Sequence, residues 1–103
     1  MFLSIRKFSN VKSQDEVIKK VQAELLPQMS SLPGFINYYA IKFEDGDLGA
    51  VSMFATKAEA DKATETANGW IKQNLADCLP TDPTVLRGEV LFNAASKVAV
   101  AGA

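Results

Sequence analysis

The chain reads twice as strand, capped helix, strand. One capping signature is Ser13-Gln14-Asp15-Glu16 and the other is Thr56-Lys57-Ala58-Glu59, each after a strand-like apolar run and before an apolar period of about 3.6 residues. The implied order is βαββαβ, an α+β ferredoxin-like unit with a four-stranded antiparallel sheet. In such a unit both helices lie on one face of the sheet, and the other face needs a cover.

With 103 residues there is room for one domain, expected over residues 1–93, with residues 94–103 as a C-terminal tail packing on the domain or on a partner subunit. A formal net charge of -1 supplies no field for phosphate backbones, so nucleic acid is not an expected partner. No apolar run is long enough to cross a membrane, and Met1 to Arg6 lacks the basic start and apolar core of a secretory leader. A cytoplasmic protein is expected. A single cysteine, Cys78, permits no internal disulfide, and the absence of histidine removes the usual transition-metal ligand. No cofactor and no metal site are expected.

Along the chain, Phe2 to Phe8 suits a half-buried strand, with Ser4 and Arg6 as its polar positions. Val17, Val21, Leu25 and Met29 recur every fourth residue in a first amphipathic helix, which Pro27 should break or kink. Leu32-Pro33-Gly34 stops it, and Phe35 to Phe43 reads as the second strand. Asp45-Gly46 marks a reversal that would set Phe43 opposite Leu48 and Tyr39 opposite Ser52, making Leu48 to Phe54 the third strand. A second helix, from Lys57 to Cys78, carries a stripe that begins with Ala60, Ala63 and Ala67 and continues through Trp70, Asn74 and Leu75. Small residues there permit close approach to the sheet or leave space beneath the helix. Thr84 to Phe92 reads as the fourth strand.

The strands are apolar on both faces. Tyr39 and Ile41 alternate with Tyr38 and Ala40, and Val85 and Leu91 with Leu86 and Val90, where a sheet with one wet face would alternate apolar with polar. Two helices cover one face, so a homodimer burying the other against an identical copy is expected. The competing arrangement is a monomer whose tail folds over the sheet.

The two capped helices, Leu32-Pro33-Gly34-Phe35 followed by Tyr38, and Val51-Ser52-Met53-Phe54 before Thr56 resemble the dimeric α/β-barrel superfamily, specifically the group named for antibiotic biosynthesis monooxygenases. Gly88-Glu89-Val90 resembles its last strand, and Trp70-Ile71-Lys72-Gln73-Asn74-Leu75 resembles small bacterial members with no assigned role. The likeness spans about residues 1–93. It implies either cofactor-independent oxygenation of quinol-type aromatics or haem degradation. The latter relies on a second-helix histidine that this chain lacks.

The resemblance nominates Tyr38, Trp70, Asn74 and Arg87 as catalytic candidates. Trp70 and Asn74 lie one helical turn apart and would orient a flat aromatic, or else serve as core packing and a helix-end hydrogen bond. Tyr38 would bond a phenolate whose charge Arg87 stabilises, or else Tyr38 sits at a subunit seam and Arg87 pairs with Glu89 at the subunit contact. Three functions follow: a homodimeric cofactor-independent monooxygenase acting on a small aromatic ligand, a non-catalytic stress or scaffold dimer, and a metabolite sensor. An open cavity beside Trp70 would favour the first over the second.

Overall fold

The computed structural model describes residues 1–94. Apart from Ala94, the expected tail lies outside the described residues. Four strands, β1 (Phe2–Phe8), β2 (Phe35–Lys42), β3 (Leu48–Phe54) and β4 (Thr84–Glu89), form one antiparallel sheet in the order β2-β3-β1-β4. Helical segments α1 (Gln14–Lys20) and α2 (Leu26–Ser30) form one rod joined by a π-helical turn, Val21–Leu25, and α3 (Lys57–Asn74) is the second rod. The architecture is ferredoxin-like α+β.

Thr56 caps α3: its backbone is extended and its Oγ1 accepts the Glu59 N–H at 3.2 Å while donating to Glu59 Oε1 at 3.0 Å. Ser13 does not cap α1. It sits in the left-handed region at φ 54°, and its hydroxyl makes no capping bond.

The kink expected at Pro27 takes a specific form. Pro27 cannot donate and its ring crowds the carbonyl four residues back, so the turn before it widens, and the Leu26 N–H reaches the Val21 carbonyl five residues back. This lets the rod continue to Ser30 and presents Met29 to the core.

Lys42 pairs with Leu48 and Tyr38 with Ser52, one residue away from the expected register. Phe43 N–H donates to the Asp47 carbonyl at 2.8 Å and Gly46 N–H to the Phe43 carbonyl at 3.0 Å, leaving a three-residue loop with Gly46 at φ 93°. Lys7 holds that loop, with its Nζ 2.5 Å from Asp45 and 2.8 Å from Asp47. A bulge between Phe35 and Asn37 then returns Phe35 to the Tyr38 side, where its ring meets Phe54 edge-on at 5.8 Å. Phe35 therefore shares a face with Tyr38 and not with Tyr39.

Both rods lie over the face that carries Ser4, Arg6, Tyr38, Ala50 and Ser52. The opposite face shows Leu3, Ile5, Ile41, Val51 and Met53, with Tyr39 49% and Leu86 63% exposed. Phe54 is fully buried at the centre of the core, with Ala60, Ala63 and Trp70 buried on α3.

β2 ends one residue before the expected Phe43, and two further elements fall short by more. The Asn74 side-chain amide donates to the Trp70 carbonyl at 2.9 Å, and α3 ends there although Leu75 beyond it stays buried. β4 ends at Glu89 because β1 offers no further residue. One more bond, Val90 N–H to the Met1 carbonyl at 2.9 Å, closes the ladder, and Leu91 and Phe92 lie beyond it, exposed.

Candidate ligand pocket under the helices

Small side chains on the sheet floor leave a gap beneath the rods. Arg6 pairs across β1 and β3 with Ala50, and Ala50 pairs with Ala40. Beside that row, Ser4 pairs with Ser52 and Ser52 with Tyr38. Above the floor, α3 contributes Thr64 and Ala67, while the widened turn brings Val21 and Leu25 down as the facing wall. The cavity, partly open to solvent, has a volume of about 490 Å³, the size range of small-molecule sites. Its lining is largely apolar, with Ser4, Arg6, Tyr38, Lys42 and Ser52 as the polar groups on the sheet and Gln22 and Thr64 on the rods.

Two of those polar groups face each other electrostatically. Burial pushes the Arg6 guanidinium pKa down, an effect the Tyr38 phenol opposes. Burial likewise pushes the Tyr38 hydroxyl up, against the pull of the Arg6 charge. Arg6 also donates from Nη2 to Asn68 Oδ1 on α3 and lies over the Phe8 ring with its guanidinium carbon 5.3 Å from the centroid. Its Nε is buried with no hydrogen-bond partner.

Of the four residues nominated from sequence, Tyr38 lines this cavity. Trp70 does not line it: the indole is buried in the core at the end of the alanine stripe. Asn74 spends its amide on its own helix. Arg87 pairs with Asp61 of α3, Nη2 to Oδ1 at 2.5 Å, and lies over the Phe2 ring at 5.0 Å. The expected pairing of Arg87 with Glu89 at a subunit contact is replaced by this one, because β4 sets Arg87 opposite Ser4 on the helix-covered face. The four are not brought together around one space. Arg6 was the residue that sequence reasoning passed over, read only as a polar position of β1. The alanine stripe was the usable signal, and its Ala67 does border the cavity.

The chain has no histidine, and Cys78 is outside the lining. No helix among the described residues is long and apolar enough to cross a membrane.

No family model matches the sequence, and no curated protein is detectably similar to it. Solved structures do share its fold. A monooxygenase of Streptomyces coelicolor in complex with nanaomycin D superposes with TM-score 0.72 at 12% identity, over 93% of this chain and 92% of that one. A Nitrosomonas europaea protein provisionally described as an antibiotic biosynthesis monooxygenase gives 0.71 at 18% identity, over 89% of this chain and 100% of that one. A heme-degrading protein of Mycobacterium tuberculosis, solved with two hemes bound, gives 0.71 at 16% identity, over 92% and 100%. At these identities the likeness is one of fold, and the fold is that of the antibiotic biosynthesis monooxygenase-like proteins.

Proposed function

We propose that this protein binds a small, flat, aromatic or quinone-like metabolite in the cavity between helices and sheet, working as a homodimer in the cytoplasm. The observation that carries the reading is the 490 Å³ cavity, largely apolar but with Arg6 and Tyr38 at its floor. An apolar cleft of this size with a few polar groups converging at its floor is the usual form of a small-molecule site. The Streptomyces coelicolor protein of the same fold, solved with nanaomycin D, gives the reading a precedent.

The dimer follows from the outer face. Leu3, Ile5, Val51 and Leu86 lie together on the sheet face that neither rod covers. A second copy placed on it gives each sheet the second cover that its composition demands.

The chemistry that such a pocket supports is oxidation of a reduced aromatic by oxygen without a cofactor. A ring methylene becomes a carbonyl: one oxygen atom of O2 stays on carbon, the other leaves as water with both hydrogens, and the substrate supplies all the electrons. Tyr38 is the residue placed to bond the substrate oxygen, with Arg6 favouring its ionised form. Trp70, Asn74 and Arg87, proposed with Tyr38 on the sequence reading, act here only by holding α3 and β4 in place. That arrangement favours a second reading, a metabolite sensor that binds without turnover.

Thermal-shift screening against hydroxylated naphthalenes, anthrones and quinones tests the binding, and oxygen uptake with each hit separates turnover from sensing. A rise in melting temperature for at least one compound is expected; no rise for any of them ends the ligand reading. Sedimentation at micromolar concentration should give a dimer, and a monomer there refutes the pairing.

A further inference from the structure

The lining of the cavity contains two cationic side chains, Arg6 and Lys42, and no carboxylate, in a protein whose formal net charge is -1. Lys7, Lys20, Lys57 and Arg87 each stand within ion-pair distance of an acid. Arg6 stands near none among the described residues. Its hydrogen-bond partner is the neutral amide oxygen of Asn68, its face rests on Phe8, and its Nε is buried and unpartnered. A guanidinium taken partly out of water without an anion is an uncompensated cost, and buried charges in native proteins are normally paired. Among the described residues nothing supplies that partner, and the open cavity that Arg6 borders has room for one.

We infer that the cavity takes an oxyanion carried on a flat apolar body, with the Arg6 guanidinium as its charge partner, Tyr38 beside it, and Asn68 fixing the guanidinium from behind. The inference rests on the ligand-binding reading and narrows it from aromatic compounds in general to acidic ones. Planar guanidinium suits an oxyanion better than a point charge would, because two of its donors can meet two oxygens side by side. The apolar wall of Val17, Val21 and Leu25 takes the body of the ligand, which makes a bare inorganic anion a poor occupant. The oxyanion is a carboxylate or an ionised ring hydroxyl with a carbonyl beside it, and each offers Arg6 two oxygens side by side.

Two matched pairs of probes test this by isothermal titration at neutral pH: naphthoate against naphthamide, and hydroxynaphthoquinone, whose acidic hydroxyl is ionised there, against its methyl ether. Wild type should bind the anion of at least one pair about tenfold tighter than the neutral compound, the scale of one charge-assisted hydrogen bond. The pair that shows the preference identifies the source of the oxyanion. Arg6→Met should bring that ratio to about one, and Arg6→Lys should retain part of it. If Arg6→Met fails to fold, Arg6→Gln makes the same comparison. Neutral compounds binding as well as acids in wild type overturns the oxyanion and leaves the pocket reading standing. A preference that survives in the Arg6 variants overturns the assignment to Arg6. Failure of all four probes to bind overturns both readings.

Discussion

Ala67→Leu puts the cavity to a test of sign. Ala67 is only 4% exposed on α3 and borders the open space, so a leucine there would extend three more carbons into it. Burying them is worth about 0.8 kcal/mol each, about 2.4 kcal/mol together, less about 0.5–1 kcal/mol of rotamer entropy. Leucine and alanine differ little in helix propensity, so a net gain of about 1–2 kcal/mol remains. For a domain of this size that raises the melting temperature by roughly 5–10 °C. If the space were absent, the same substitution would overpack a tight core and cost about 1–3 kcal/mol, moving the melting temperature the other way. Calorimetric melting of the two proteins decides it, and ligand titration supplies the second half. The stabilised variant should lose affinity for any compound that binds wild type, because the leucine occupies volume the ligand needs. A lower melting temperature refutes the cavity, and unchanged affinity in a stabilised variant places the ligand elsewhere.

Thr56→Ala removes the acceptor for the Glu59 N–H and should cost about 1 kcal/mol by chemical denaturation, whereas Ser13→Ala, at a position that makes no capping bond, should cost far less. The carboxyl of Asp61 is held below its ordinary value of 3.8 by hydrogen bonds from Arg87 and then Lys57. A folded pKa below the unfolded one stabilises above pH 3.8 and is lost as pH falls from there through the folded value, so melting temperature should drop over that acid range and drop less steeply in Asp61→Asn. Val51→Lys sets a charge in the middle of the outer sheet face and should turn a dimer into a monomer by sedimentation while leaving the helix-covered cavity, read by ligand titration, able to bind.

The bounds of β1 and β3 were legible to the residue, because an alternating apolar run between turn formers has few other conformations open to it. The hairpin was legible except for its register. Glu44-Asp45-Gly46-Asp47 admits a four-residue loop as readily as a three-residue one, and the three-residue form lets Lys7 of β1, 38 and 40 positions away, grip Asp45 and Asp47. That single step mattered, since it exchanges the faces of Tyr38 and Tyr39 relative to β3. The bulge beside Ile36 left no local mark either, because Phe35 and Ile36 are equally apolar. The pocket was legible from one side. Ala67 and its stripe announced small residues under α3, but the floor of Ala40, Ala50 and Ser52 comes from strands whose facing only the register reveals.

The polarity of β1 links the two proposals. In an antiparallel sheet with one covered face, apolar positions turn toward the cover and polar ones toward water. The ends of β1 follow this, with Phe2 and Phe8 turned in and Lys7 out, but its middle does the reverse: Ser4 and Arg6 turn in beneath the helices, and Leu3 and Ile5 turn out. For a chain that folds alone and binds nothing, this is an error on both faces, a partly buried unpaired cation on one and stranded apolar surface on the other. Each error disappears with its own occupant, an acidic ligand inside and a second copy outside. Because adjacent residues on a strand point to opposite faces, the two occupants act through different side chains and should be separable. A variant at Arg6 should lose the preference for anions and stay paired, and a variant at Val51 should come apart and still bind. Were either substitution to abolish both properties at once, the two faces would be coupled through the sheet, and the assignment of one role to each would be wrong.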